Sequence, residues 1–364
     1  MVWGIFTSFC IKKSPAGKII PKQTGKGDIL NMGHSVIKLN SEILCAASAV
    51  GRQEFEGPLG ALFDLHCEDD RFGQDTWEKA ESEMQRQCLG IALSKSGLRE
   101  SDVGALFAGD LINQCTGSSY GLLDYDIPYF GLYGACSTAI EGLMLSSIMT
   151  TTGVFEHCAS VTSSHNCSAE RQFRTPLEYG AQRAPTSQWT VTGAGSFITR
   201  SAVQGSGKAR ITEALPGISV EKGVTDMTNM GAAMAPAALD TLVRYFKASG
   251  SCPQDFDIIV TGDLGFEGNS ILRDLLSIEG YKAGNELTDC GMMIYDRERQ
   301  DMHSGGSGCG CCAVVLASHL LPMLESGEIE NMLIVGTGAL MSPDSIKQGL
   351  AIPGIAHLLR IERG

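Results

Sequence analysis

SGLRESDVGALFAGDL, residues 96–111, lies over SGSCPQDFDIIVTGDL, residues 249–264, without a gap. Ser-Gly meets Ser-Gly, Asp102 meets Asp255, the apolar run from Ala105 meets that from Ile258, and Gly-Asp-Leu closes both copies, at an offset of 153 residues. A self-match of this kind marks a duplicated structural unit. Ahead of the first copy, Trp77, Ala80, Met84, Cys88 and Ile91 recur at helical spacing behind Asp75 and Glu78, which are arranged like a capping box. Ahead of the second, residues from about Ala232 to Ala248 are rich in Ala and Leu. Each unit therefore reads helix, Gly turn, Asp, buried apolar strand.

A second match sets ACSTAIEGLMLSSIMTTTGVFEHCASVTSS over CGCCAVVLASHLLPMLESGEIENMLIVGTG and pairs Gly153 with Gly327. Again a helix leads into a short apolar strand. Helices between such strands require crossover connections, so each half is expected to be a βαβ layer on a mostly parallel sheet. The expected organisation is an arm at 1–33, a first half at 34–215 and a second half at 216–364, with Gly-rich junctions facing each other across a pseudo-twofold axis.

Composition narrows the function. The chain has 364 residues, 43% hydrophobic and 19% charged, enough for a sizeable core. A formal charge of -13 argues against a nucleic-acid partner, because phosphate binding draws on clustered Lys and Arg. Thirteen cysteines scattered along a chain without an evident secretory signal read as free thiols. No run of about 18 apolar residues is apparent, so membrane association is expected to be peripheral or through a partner. The cluster Lys12, Lys13, Lys18, Lys22 and Lys26 reads first as a solvated arm, with lipid or partner contact the sharper alternative.

Cys136, in YGACSTAIEG, falls between an expected strand at Tyr129–Leu132 and a helix starting near Ser137. A thiol at a helix start is where the dipole and free N–H groups lower a pKa and cradle anions. Arg171, Arg174 and Arg183 lie in a loop-like segment rich in Gly, Pro, Ser and Thr, and guanidinium forks match carboxylates bidentately. Their plain alternative is pairing with Glu170 and Glu178. Ser163 and His165 follow the strand after the Cys136 helix, at the end where open α/β sheets place ligands, and Thr192 stands before a tight Gly turn where it can line a pocket. Cys309, Cys311 and Cys312 lack a second cluster that would complete a metal site, and GGSGCG lacks the Lys of a phosphate loop, so neither a metal nor a nucleotide cofactor is expected.

A Gly-x-Cys helix start in one half and a Gly-rich helix start in the other resembles the thiolase and ketoacyl-synthase superfamily. Within it, EGPLGALFD, YGACSTAIEG, SSHNCSAERQFRTPLEYGAQRAPTSQWTVTGAGS, VTGDLG, HSGGSGCGCCA and GALMSP look most like the stage V sporulation protein AD family, over roughly residues 34–357. The resemblance implies a five-layered αβαβα fold and a role in dipicolinic acid uptake into the developing spore by binding it. It also implies membrane-associated stage V sporulation partners at the spore inner membrane, and a possible homodimer.

Condensing enzymes of the superfamily pair the Cys with a His after the strand of the second half. Here Asp263 stands at that place, and an ionised carboxylate neither donates to an oxyanion nor activates a thiol. His303, in MHSGGSG, is the remaining base that the resemblance would bring toward Cys136. Three readings stay open: a dipicolinate binder whose cleft holds Cys136, Asp263 and His303 with help from the Arg segment; an acyltransferase with Cys136 as nucleophile; and a ligand-free scaffold.

Overall fold

The structure, a computed structural model, describes residues 35–173 and 183–364; the expected N-terminal arm lies outside them. The strands are β1 (Ile37–Val50), β2 (Leu65–His66), β3 (Ala105–Gly109), β4 (Tyr129–Leu132), β5 (His157–Ser164), β6 (Trp189–Thr190), β7 (Gly193–Ser201), β8 (Arg210–Leu215), β9 (Ile258–Thr261), β10 (Leu287–Asp289), β11 (Gly306–Ser307), β12 (Asn331–Ala339) and β13 (Gly354–Glu362).

The main sheet runs β10-β9-β12-β13-β8-β1-β7-β5-β3-β4, with β2 beside β1. That order is palindromic about the β8–β1 junction, so the duplication read from the sequence is the duplication of the sheet. β3 and β9 hold the Gly-Asp-Leu copies at their ends, and β5 and β12 follow the two matched helices. In this symmetry β8 takes the place of β1, which sets the boundary between the halves before Arg210, ahead of the one expected after Leu215.

The expectation of a mostly parallel sheet needs correction. β3 is parallel to β4 and β5, and β9 to β10 and β12, but β7 and β13 run antiparallel to their neighbours. The crossover argument applies only where a helix carries the chain back between neighbours. β7 is reached through the excursion after Ser164, and β13 through the turn after Ala339, without such a return.

Five layers result. The Trp77–Ser96 helix covers the outer face of the first half-sheet, and Met230–Ser249 covers that of the second. Between the two half-sheets lie the Thr138–Thr151 and Cys309–Val315 helices, which pack on each other. Apolar side chains fill the space on both sides: Met84, Leu89, Leu106 and Ile198 outside the first half-sheet, Tyr245, Phe246, Leu333 and Leu358 outside the second, and Ile140, Leu143, Val314 and Phe197 between them. Strand glycines let the central helices press close. A Cβ on Gly336 would lie 2.6 Å from the Ile140 side chain, and one on Gly195 would lie 2.6 Å from Ala313.

The Trp77–Ser96 helix is capped by Thr76, whose hydroxyl accepts from the Lys79 N–H, and not by the expected Asp75. Asp75 pairs instead with the Lys79 ammonium. Cys309–Ser326 is also long and apolar enough by length and composition to cross a membrane, a run that the sequence reading passed over. Its first seven residues are all buried in the central layer.

Candidate functional site

The site forms where the central helices start. Leu132 ends β4, and the chain turns through Gly134, left-handed Ala135 (φ 51°) and Cys136 before the helix begins at Thr138. The end of β12 closes over this turn: a Cβ on Gly338 would stand 2.5 Å from the Gly134 carbonyl and 3.3 Å from the Cys136 nitrogen. Cys136 is 6% exposed and packs with Leu111, Ala169 and Cys309. Its sulfur lies 4.0 Å from the Ser307 hydroxyl.

Asp263 sits beside it, fully buried and saturated with donors. One carboxylate oxygen accepts from the Ser307 hydroxyl (3.0 Å) and the Gly308 N–H (2.9 Å), and the other from the Thr337 hydroxyl (2.8 Å). Gln188 donates to the Asp263 carbonyl (2.7 Å) and the Gly306 carbonyl (2.9 Å), which ties β6 to the same corner.

The electrostatics reverse the helix-start expectation for the thiol. Burial pushes the Cys136 pKa well above its ordinary value, and the Asp263 carboxylate adds to the rise. Burial also raises Asp263, against the hydrogen bonds it receives. Helix-terminal N–H groups lower a thiol's pKa where solvent or cations help to carry the charge, and this pocket supplies a second acid in their place.

His303 has partners of its own. Its Nδ1 donates to the Ala184 carbonyl (2.8 Å), and its Nε2 faces the Asp301 carboxylate at 3.2 Å. Arg183 joins it there: its Nη2 bonds the carbonyl and the carboxylate (3.2 Å) of Asp301, and the guanidinium stacks over Trp189. With Ala184, Pro185 and Arg297 they line an open cleft of about 600 Å³.

The other expected site residues are dispersed. Arg171 pairs with Glu78, a partner not anticipated, and Arg174 lies outside the described residues. Ser163 donates to Glu81 (2.9 Å) and accepts from Gln85 (2.7 Å), inside a buried acid network. His165 is buried and neutral in its bonding: Nδ1 accepts from the Cys167 N–H while Nε2 donates to the Asp70 carbonyl (2.8 Å), and burial lowers its pKa. Thr192 accepts from the Asn166 N–H and lines a separate cleft with Arg52, Asp70 and Trp189.

Sequence reading missed Ser307 and Thr337, the hydroxyls that hold Asp263. The second self-match contained a signal, since it lays Thr337 over Ser163, another strand-end hydroxyl that serves a buried acid. Arg297 was missed too; its guanidinium lies 4.2 Å from the Phe266 ring centre, a contact between residues 31 apart with no local pattern. Among the described residues no group of three or more His, Cys, Asp or Glu side chains is placed to hold a metal ion.

A duplicated five-layer body with a buried cysteine at the start of its first central helix defines a thiolase-fold protein. Solved structures agree. OleA of Xanthomonas campestris with cerulenin bound matches with a TM-score of 0.57 at 15% identity, over 91% of this chain and 98% of that one. The 3-oxoacyl-(acyl carrier protein) synthase III FabH of Xanthomonas oryzae matches with 0.56 at 15% identity, over 88% and 99%. At the sequence level, stage V sporulation protein AD of Bacillus subtilis (strain 168) is 41% identical over 318 residues, covering 87% of this chain and 93% of that protein. The family model described as stage V sporulation protein AD matches residues 33–362. The chain belongs to the stage V sporulation protein AD family, and its role is in sporulation.

Proposed function

We propose that the chain binds dipicolinic acid and takes part in its uptake into the developing spore without catalysing acyl transfer. The observation that carries the non-catalytic part is Asp263. Acyl transfer to cysteine needs a thiolate or a neighbouring base to make one, and then donors for the oxyanion. Cys136 has instead a buried carboxylate whose oxygens are already occupied by Ser307, Gly308 and Thr337. Both burial and that charge favour the protonated thiol.

The binding part rests on the resemblance to the family together with a cleft that gathers cationic groups. A planar dicarboxylate needs guanidinium partners, and Arg183, Arg297 and His303 share one cleft. Peripheral attachment at the spore inner membrane, through other stage V sporulation proteins, belongs to the same proposal, as does a homodimer.

Acyl transfer has the fold in its favour, because FabH is a synthase and shares it. Against it, the one candidate base, His303, is bonded to Ala184 and Asp301. Calorimetric titration with dipicolinic acid, run beside an acyl-thioester labelling assay, separates the two. Saturable heat without labelling of Cys136 is expected. A covalent acyl adduct on Cys136 with no dipicolinate binding would overturn the proposal.

A further inference from the structure

We infer that the cleft between Arg183, Arg297 and His303 is the carboxylate-binding station, and that Asp301, paired with Arg183 and His303, serves as their internal stand-in anion until ligand arrives. The ligand class, a small planar dicarboxylate, rests on the proposed function. The location and the masking rest on the geometry.

Three cationic or proton-donating groups converge here from two separate parts of the chain. Arg183 lies over Trp189, 5.0 Å from the ring centre, with its Nη1 buried and unpartnered. Arg297 lies over Phe266, and its Nε donates to the His303 carbonyl (2.7 Å). Among the described residues Arg297 forms no ion pair. Aromatic faces back both guanidiniums, which lowers the entropy lost when a carboxylate docks on them.

Asp301 is the single acid among them. Its carboxylate touches both Arg183 and His303 at 3.2 Å, yet its side chain is 80% exposed. Exposed ion pairs are weak, so a ligand carboxylate with bidentate geometry can displace it. The loop that presents it is strained: Asp301 (φ 54°) and His303 (φ 50°) are both left-handed non-glycine residues, separated by buried Met302. Such strain collects at ligand clamps, where surrounding structure holds it. Two guanidiniums against one carboxylate leave the cleft short of negative charge.

The station also communicates with the buried pair. Ser187 accepts from the Ser304 N–H, and Gln188, next in the chain, bonds the Asp263 carbonyl. A ligand on Arg183 and Arg297 would therefore lie one short segment from Cys136 and Asp263, outside their sealed pocket.

The test is calorimetric titration of the full chain with dipicolinic acid, in wild type, Arg297→Gln and Asp301→Asn, with Trp189 emission followed in parallel. Asn tolerates the left-handed backbone, so Asp301→Asn removes the charge without adding strain. Affinity should fall about tenfold or more in Arg297→Gln, as for loss of a charged hydrogen bond. It should rise in Asp301→Asn. Trp189 emission should change on binding, and Trp189→Phe should abolish that change. Equal affinities in all three proteins, with wild type binding and Trp189 silent, would overturn the cleft while leaving dipicolinate binding intact. Absence of heat in both wild type and Asp301→Asn would remove the dipicolinate reading and the station with it.

Discussion

Glu54 offers a direct measure of what buried acids cost this fold. It is 1% exposed; its Oε1 accepts from the Thr192 N–H (3.0 Å) and the Tyr295 hydroxyl, and its Oε2 has no partner. Burial raises its pKa from 4.5 to about 7, against those two hydrogen bonds. At about 1.4 kcal/mol per pH unit, that rise corresponds to about 3 kcal/mol. The folded chain holds this proton more tightly than the unfolded chain. The contribution is therefore complete below pH 4.5 and is lost as pH rises through about 7. Glu54→Gln keeps an acceptor for Thr192 and Tyr295 and removes the ionisation. Urea unfolding of both proteins at acid pH and at pH well above 7 should show the stability difference moving by about 3 kcal/mol in favour of the variant. Glu81, Asp110, Asp263 and Asp289 are also buried with raised pKa values, but they are common to both proteins and cancel in this difference. A wild-type-to-variant difference that stays constant with pH would refute the reasoning.

At the site, Asp263→Asn removes the negative charge beside Cys136, and alkylation of that thiol by iodoacetamide at fixed pH should accelerate by about tenfold, the effect of one pKa unit. Mass mapping of the modified cysteine checks it, and an unchanged rate would mean that burial alone controls the thiol. Gly338→Ala places a Cβ against the backbone of Gly134, Ser137 and Cys136, none of which can swing aside. It should cost about 1–3 kcal/mol in urea unfolding and make Cys136 more accessible to the same reagent; wild-type stability would show that the β12 turn does not seal the pocket.

The sequence carried the architecture because duplication is visible at the level of pattern. Gly-Asp-Leu at the ends of β3 and β9, and the helix-to-strand blocks that end at Ser164 and Gly338, sit at equivalent places in the palindromic sheet. Strand direction was less legible, because β7 and β13 reverse through segments that, among the described residues, contain no crossover helix for the pattern to reveal. For the thiol, Asp263 pointed to a raised pKa and the helix start to a lowered one, and the burial that adds to the rise was not legible for a related reason. A helix start is a local feature, whereas the burial of Cys136 comes from Leu111, Ala169 and Cys309, which are distant along the chain. The Arg-rich segment announced positive charge, but Arg171 is taken by Glu78, and Arg183 shares a cleft with Arg297 from the opposite half.

Asp263 can finally be weighed against its own repeat. The matching residue in the first half, Asp110, is also buried at the end of its strand, and it uses its carboxylate in the same way. One oxygen accepts from the Ile112 N–H (2.8 Å), and the other accepts from the Ser118 N–H (2.7 Å) and hydroxyl. No thiol chemistry is needed to explain Asp110, since it closes the turn that follows β3. Asp263 closes the Gly306–Gly308 turn with Ser307, Gly308 and Thr337 by the same device. An acid installed to tune Cys136 would be expected in the second half alone. Its presence in both halves, each time held by neighbouring donors, gives it a role in fastening the fold that does not depend on Cys136.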